Sequence, residues 1–135
     1  MTITYSWRGP FSNIEANALH AQAFETRVFD ESEWNWEQLT RNHSLGWITA
    51  RDADGGLVGL VNVIWDGLVH AWIQDVMVDQ QVRHQGVGKE LVAGAVKGAK
   101  DAKCEWLHVD FEDELRPFYF DACGFTPTNA GLIQL

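Results

Sequence analysis

The chain has 135 residues, of which 46% are hydrophobic and 21% charged, so we expect one globular domain rather than a disordered segment. Ten basic residues stand against 19 acidic ones, and the net charge of -9 argues against a surface made to coat nucleic acid. The longest strongly apolar run, residues 57–63, is far too short to span a bilayer.

The first half of the chain predicts two helices between antiparallel strands. Residues 2–7 predict a strand, and Ser12 with Glu15 forms a capping box that predicts a helix to about residue 24. A second, shorter helix is predicted over residues 32–43. Turn sequences then separate three predicted strands, which cover residues 45–51, 57–65 and 68–78.

The second half alternates helices with strands. An apolar stripe predicts a helix over residues 88–103, and it is followed by a predicted strand 105–111, helix 112–122 and strand 131–135. The predicted order is therefore β-α-α-β-β-β-α-β-α-β. A meander followed by β-α-β units predicts an α/β (mixed α+β sheet) fold, as a single domain over residues 1–135.

A glycine-containing loop joins the long strand to the following helix. Gly86 and Gly88 allow a tight turn whose main-chain N–H groups lead into a helix N-terminus, where phosphate binds readily. The loop is not a Walker A motif, because Glu90 stands where Ser or Thr is needed. It is not a Rossmann fingerprint either, because Leu91 replaces the third glycine. The alternative is that the glycines only form a turn.

Local charge favours an anion site in this region. Residues 82–103 carry a net charge of +3, while the rest of the chain carries -12. An anionic ligand would therefore meet the one basic segment of an acidic protein. Arg83 and Lys89 are the informative basic residues, because the later lysines fit a solvated helix face equally well.

Two motifs together carry a family resemblance. The first is Arg83-x-x-Gly86-x-Gly88, preceded by Val76-Met77-Val78, and the second is the aromatic stretch 118–125, which ends in Gly124-Phe125. Joined to the predicted element order, they resemble the GCN5-related N-acetyltransferases (the GNAT family) over nearly the whole chain. The resemblance implies an acetyl-CoA-dependent N-acetyltransferase, with acetyl-CoA as co-substrate.

The resemblance also implies where acetyl-CoA would bind. The pantetheine arm would lie along the edge of residues 76–78, and Asp113 stands where the family often has a cofactor-contacting asparagine. A carboxylate at that position accepts hydrogen bonds but cannot donate them. The pyrophosphate would lie beside Arg83, on the main-chain N–H groups of His84, Gln85, Gly86, Val87, Gly88 and Lys89.

An ammonium acceptor must lose a proton, either to a base or to water, before it attacks a thioester. Asp75 lies next to Val76, where some members carry a basic carboxylate, and burying a lone acid is costly without a purpose or partner. A structural hydrogen bond is the alternative for Asp75.

His108 stands where some other members carry a glutamate base. An ordinary imidazole titrates near neutral pH, which suits a base, but a histidine in a strand often has only a structural role. Asp110 and Glu112 are expected on the same face, holding its ring or attracting a cationic amine.

The leaving-group acid departs from the family pattern. The family usually has a tyrosine four residues before the glycine of Gly-Phe, and that residue here is Phe120, with Tyr119 one step earlier. One step along a helix turns a side chain by about 100°. Tyr119 is expected to reach the sulfur if the helix carries an extra residue, which Pro117 would encourage. Otherwise water protonates the thiolate, or the thiolate leaves unaided.

Acceptor pockets in the GNAT family are built largely from the first two helices and the loop between them, so the resemblance implies that the acceptor binds near residues 25–37. These residues carry a net charge of -4 and interleaved aromatic residues. Acidic and aromatic side chains favour a cationic amine, although a solvated helix face is the alternative. We expect Trp34, Trp36, Asp110 and Glu112 to contact a small-molecule amine. A polyamine, an amino sugar, an amino acid and a protein N-terminus all remain open.

The remaining features predict a cytoplasmic chain. The start has no signal-peptide pattern, Cys104 and Cys123 predict free thiols, and the five histidines lack metal-ligand spacing. We expect no metal, nucleic-acid or membrane partner, and a monomer or homodimer. Direct acetyl transfer is preferred because no nucleophile is evident. The alternative is a non-catalytic acyl-CoA-binding or regulatory module of the same fold.

Overall fold

The computed structural model describes residues 2–135 and contains a five-stranded mixed sheet in the order β1-β2-β3-β4-β5. Neighbouring strands are antiparallel except β4 and β5, which are parallel. The strands are β1 (Thr4–Trp7), β2 (Ser44–Arg51), β3 (Leu57–Trp65), β4 (His70–Val78) and β5 (Trp106–His108). The helices are α1 (Asn13–Phe24), α2 (Trp36–His43) and α3 (Val87–Asp101). This mixed α/β architecture confirms the predicted fold class.

Local capping explains where the first two helices begin. The Ser12 hydroxyl accepts from the Glu15 N–H at 3.1 Å while the Glu15 carboxylate accepts from the Ser12 N–H, so the predicted capping box is present. The predicted helix 32–43 starts later than expected, because the Asn35 side chain caps it by accepting from the Gln38 N–H at 2.9 Å.

The helices cover the two faces of the sheet. Val61 and Val63 are buried on one face with Leu91 of α3, and Leu60 is buried on the other with Leu19 of α1. Since β3 is buried on both faces, its sequence is a nearly continuous apolar run. No helix within residues 2–135 is both long and apolar enough to cross a bilayer.

Strand β4 contains a bulge at its centre. Leu60 pairs with Met77 and Asn62 with Gln74, so β4 holds one more residue than β3 across this interval. Asp75 lies there with a left-handed φ of 57°. The extra residue reverses the side-chain alternation, and Ile73 and Met77 consequently belong to the cores on opposite faces.

Strands β4 and β5 pair over only three residues, from His70–Trp72 to Trp106–His108. The predicted strand 105–111 is therefore shorter than expected. Residues 73–78 of β4 continue without a strand partner on that side, which leaves backbone groups free at the point where the two strands separate.

The C-terminal part differs most from the predicted order. The predicted helix 112–122 is divided into a 3-10 turn at Asp113–Leu115 and a π-helix at Pro117–Ala122. The predicted strand 131–135 is wrong, because these residues form no ladder. The three-residue β5 offers little edge to extend, and the side chains of Leu132 and Ile133 are 86% and 82% exposed.

Candidate active site

A cleft of about 590 Å³ opens where β4 and β5 separate. Three carboxylates line it, those of Asp75, Asp110 and Glu112, together with Val76 and the Tyr119 ring. The structure therefore brings these five predicted site residues together. None of the described residues that line the cleft is a lysine, an arginine or a histidine, so its lining favours a positively charged ligand.

Asp75 is positioned in the cleft by the β4 bulge. Its carboxyl group is largely withdrawn from water, and this burial raises its pKa above the usual 3.8. The nearby imidazole of His20 acts in the opposite direction and lowers that pKa. Asp75 therefore has the environment of a carboxylate that can take up a proton more readily than an exposed aspartate.

His20 is a residue that sequence reasoning missed. Its ring lies in an aromatic cluster, with centroid distances between 5.0 and 6.4 Å to Phe24, Phe29, Trp34 and Trp36. The Nδ1 atom is buried and has no hydrogen-bond partner in residues 2–135. The i, i+4 spacing of His20 and Phe24 predicts that their rings lie on one face of α1. The proximity of His20 to Asp75 depends on tertiary packing, which the sequence pattern does not encode.

Trp34 and Trp36 belong to this cluster and do not line the cleft. Trp36 is only 1% exposed, and its indole N–H donates to Asn17 Oδ1 at 2.8 Å, so it packs α2 against α1. Trp34 is 46% exposed and its carbonyl accepts from Asn17 Nδ2. Within the acidic loop, Glu33 is already paired with Arg27 at 2.6 Å.

His108 also lies outside the cleft lining. Its Nε2 is 2.8 Å from Nδ1 of His70, and its ring stacks on Trp72 at a centroid distance of 5.0 Å. Because β5 ends at His108, the expected alternation does not continue to Asp110 and Glu112. Asp110 and Glu112 line the cleft from the segment that follows β5, whereas the His108 ring lies outside the cleft.

Tyr119 reaches the cleft because its helix is a π-helix. In a π-helix each N–H bonds five residues back, and here the Cys123 N–H donates to the Phe118 carbonyl at 2.9 Å. Tyr119 stands five residues before Gly124, which corresponds to four residues in an α-helix. Its ring is 5% exposed and stacks on Phe111, and burial raises its pKa to about 12.

Phe120 and Asp113 do not line the cleft. The Phe120 ring packs edge-on against Phe111 at 5.2 Å, beneath the Arg116 guanidinium. The Asp113 side chain is 92% exposed and lies 3.8 Å from Arg116 Nη1. A contact between Asp113 and a cofactor therefore stays a prediction.

The N-terminus of α3 has the features of a phosphate site. Gly86 is its N-cap, with a φ of +80°, and no side chain caps the helix. Since the first helical bond runs from the Glu90 N–H to the Gly86 carbonyl, the N–H groups of Val87, Gly88 and Lys89 have no partner within the helix. A Cβ at Gly86 would meet nothing within 4 Å, so a phosphate has room to approach.

The loop before this helix is held by Arg83. The guanidinium donates to the Ala23 carbonyl at 2.6 Å, which ties the loop to the end of α1. His84, with a φ of 65°, and Gln85 are exposed beside it. With the unpaired edge of β4 at residues 76–78, the loop and the α3 N-terminus fit a long anionic cofactor such as acetyl-CoA, whose pantetheine arm would follow that edge.

The comparisons with known proteins agree with this geometry. A model of the acetyltransferase (GNAT) family matches residues 11–125. The chain belongs to the GNAT family. As a GNAT acetyltransferase it is an N-acetyltransferase, and its predicted family and enzyme class are confirmed.

Solved structures share the GNAT fold over almost the whole chain. A probable acetyltransferase of unknown function from Staphylococcus aureus is 21% identical, with a TM-score of 0.81 and coverage of 99% of this chain and 98% of the other. A GNAT family acetyltransferase from Streptococcus pneumoniae is 24% identical, with a TM-score of 0.75 and the same coverage. AAC(6')-Iy, solved with the bisubstrate analogue CoA-S-monomethyl-acetylneamine, is 17% identical, with a TM-score of 0.76 and coverage of 100% and 98%.

Proposed function

We propose that this N-acetyltransferase transfers an acetyl group from acetyl-CoA directly to the primary amine of a small cationic molecule. The observation that carries the proposal is the cleft lining, in which Asp75, Asp110 and Glu112 supply three carboxylates and no described lining residue is basic. An ammonium group entering this cleft would be attracted by all three carboxylates. Phosphorylated or carboxylated acceptors would be disfavoured.

Acetyl-CoA would supply the acetyl group as a reactive thioester. The uncapped α3 N-terminus and the main-chain N–H groups of residues 84–89 would hold its pyrophosphate. Val76, Met77 and Val78 would hold the pantetheine arm at the unpaired edge of β4. The CoA-containing analogue bound to AAC(6')-Iy supports this assignment for the shared fold.

Asp75 would accept the proton that the ammonium group must lose. Burial raises the pKa of Asp75, so its carboxylate takes up a proton more readily than an exposed aspartate does. The His20 imidazole lowers the same pKa and so makes the rise smaller. The free amine would then attack the acetyl carbon, and the C–N bond forms as the C–S bond to CoA breaks. The second proton that the nitrogen releases balances the one that the thiolate takes up. We therefore expect activity to fall at acidic pH, where Asp75 becomes protonated, and that fall to occur above the usual aspartate range.

Tyr119 would return a proton to the departing thiolate. The burial that raises its pKa to about 12 keeps the phenol protonated at neutral pH, which a general acid requires. Its ring lines the same cleft as Asp75, so a base and an acid are both available beside one substrate. His108 keeps only a weaker claim as a base, because His70 lies against its Nε2.

Direct transfer is favoured over an acetylated cysteine. Neither Cys104 nor Cys123 lines the cleft, and burial raises the pKa of both thiols, so both are mainly protonated at neutral pH. Both cysteines are free, which supports a reducing, cytoplasmic location. A monomer or a homodimer stays our proposal for the assembly, and sedimentation would decide between them.

The test is an amine panel assayed by release of free thiol, with Asp75→Asn compared to Asp54→Asn. Asp54 lies in the exposed turn between β2 and β3 and serves as the matched control. We expect at least one small cationic amine to be acetylated, a loss of about 100-fold or more in Asp75→Asn, and little change in Asp54→Asn.

Acetyl-CoA binding separates this proposal from the non-catalytic alternative. Saturable calorimetric binding of acetyl-CoA without turnover on any amine would favour an acyl-CoA-binding module. Absence of binding would reject both functions.

A further inference from the structure

Four ring-bearing residues form an exposed patch on the sheet face that carries α1 and α2. We call this patch the ring platform, and it consists of His70, Trp72, Trp106 and His108. The β4–β5 register pairs His70 with Trp106 and Trp72 with His108, so all four side chains project from one face. Neither helix covers the two indoles, because Trp72 is 36% and Trp106 is 61% exposed.

Three rings of the platform, those of His70, Trp72 and His108, hold one another in place. The His108 ring lies 5.0 Å from both the Trp72 and the His70 rings, with interplanar angles of 19° and 30°. The 2.8 Å contact between His70 Nδ1 and His108 Nε2 gives each imidazole a partner. These three residues thus form an ordered set of nearly parallel rings, and Trp106 adds an exposed indole on the same sheet face.

The platform is continuous with the catalytic cleft. Trp72 and His108 are the last paired residues before β4 and β5 separate. Along each strand the following residues, Gln74 on β4 and Asp110 after β5, line the cleft. A ligand whose amine lies among the cleft carboxylates would therefore have its remaining part directed toward the exposed part of the Trp72 indole.

We propose that the ring platform binds a planar ring of the acceptor, which makes the preferred acceptor a primary amine that carries an aromatic ring. This inference rests on the proposed function and specifies its substrate class. The two ends of such a molecule match two adjoining surfaces: the ammonium group matches the carboxylates, and the ring matches exposed indole and imidazole. An aliphatic amine would gain the first contact and leave the second surface in water.

Paired substrates and paired variants test this assignment. Phenethylamine and n-hexylamine carry the same charge and similar apolar bulk, but only the first has a ring. Trp72→Leu removes the central indole of the platform. Trp65→Leu is the matched control, because Trp65 is 37% exposed on the neighbouring strand and pairs with Ala71, on the opposite sheet face.

The expected result is a selective loss. In Trp72→Leu, kcat/KM for phenethylamine should fall about tenfold, which is the scale of one good aromatic contact, while that for n-hexylamine changes less than about twofold. Trp72→Phe should keep part of the ring preference, and Trp65→Leu should keep all of it. Equal losses for the two amines in Trp72→Leu, or no preference for phenethylamine in the unaltered chain, would overturn the inference.

Two further outcomes separate this inference from neighbouring ones. If n-hexylamine and phenethylamine are acetylated with equal kcat/KM, the proposed function survives and the ring platform has no role in substrate choice. If no amine is acetylated, the proposed function fails, and calorimetric binding of phenethylamine that is weakened by Trp72→Leu still supports the platform. A dimer that Trp72→Leu dissociates, without a change in amine preference, would make the platform a contact between copies and reject the inference.

Discussion

The chain has only two tyrosines, Tyr5 and Tyr119, so the titration of the proposed acid, Tyr119, can be measured separately. Burial raises the pKa of Tyr119 from 10.0 to about 12. Each pKa unit corresponds to about 1.4 kcal/mol, so ionising this phenol costs roughly 3 kcal/mol more in the folded chain than in the unfolded one. Because the folded pKa is the higher, this stability is complete below pH 10 and is lost as the pH rises through 12.

Replacing Tyr119 with Phe removes the ionisable group while keeping the ring that stacks on Phe111. The free energy of unfolding of Tyr119→Phe should therefore fall less steeply than that of the unaltered chain as the pH rises from 10 towards 12. Urea unfolding at several pH values measures this difference. Phenolate absorbance provides the second readout, since subtracting the variant's titration leaves the signal of Tyr119.

Tyr5→Phe is the matched control for this experiment. Burial and the Glu90 carboxylate also raise the pKa of Tyr5, but Tyr5 does not line the cleft. Removing Tyr5 should leave thiol release from acetyl-CoA unchanged, whereas Tyr119→Phe should slow it about 100-fold or more. If the Tyr119 phenol titrates near 10, or if its removal leaves turnover intact, the reasoning that makes it a shielded acid is wrong.

Three further substitutions address other parts of the site. Gly86→Val forces a β-branched residue to a φ of +80°, so acetyl-CoA binding should become undetectable by calorimetry, and unchanged affinity would refute the loop assignment. His20→Gln removes the imidazole whose electrostatic effect lowers the Asp75 pKa, so the acidic limb of the kcat/KM profile should move to higher pH, and an unmoved limb would contradict this effect. Trp36→Phe loses the 2.8 Å bond to Asn17 and should cost about 1–3 kcal/mol in urea unfolding, with acetyl-CoA affinity retained as the sign of a structural role.

Features encoded within a few neighbouring residues were predictable from the sequence. The Ser12–Glu15 capping box, the two hairpin turns and the Gly86-x-Gly88 loop each have a local chemical cause, and the structure contains them where expected. Together they were enough to predict the mixed sheet and the glycine turn at the α3 N-terminus, where we propose that the pyrophosphate binds.

Features that depend on partners distant in sequence were not predictable in this way. The ends of β5 and the absence of a strand at 131–135 depend on which edge is available to pair, which the apolar pattern of those residues does not encode. The same is true of His108, which contacts His70 rather than the cleft, and of His20, which approaches Asp75 from another element.

The π-helix at Pro117–Ala122 bears on how relatives of this protein are compared. A π-helical turn is in effect an α-helical turn that has accepted one inserted residue without shifting its flanks. An ungapped alignment would therefore set Phe120 against the tyrosine of other family members and suggest that the acid has been lost by mutation. Counting the insertion places Tyr119 in that column, so the proposed acid would have moved by one position in sequence while keeping its place in space.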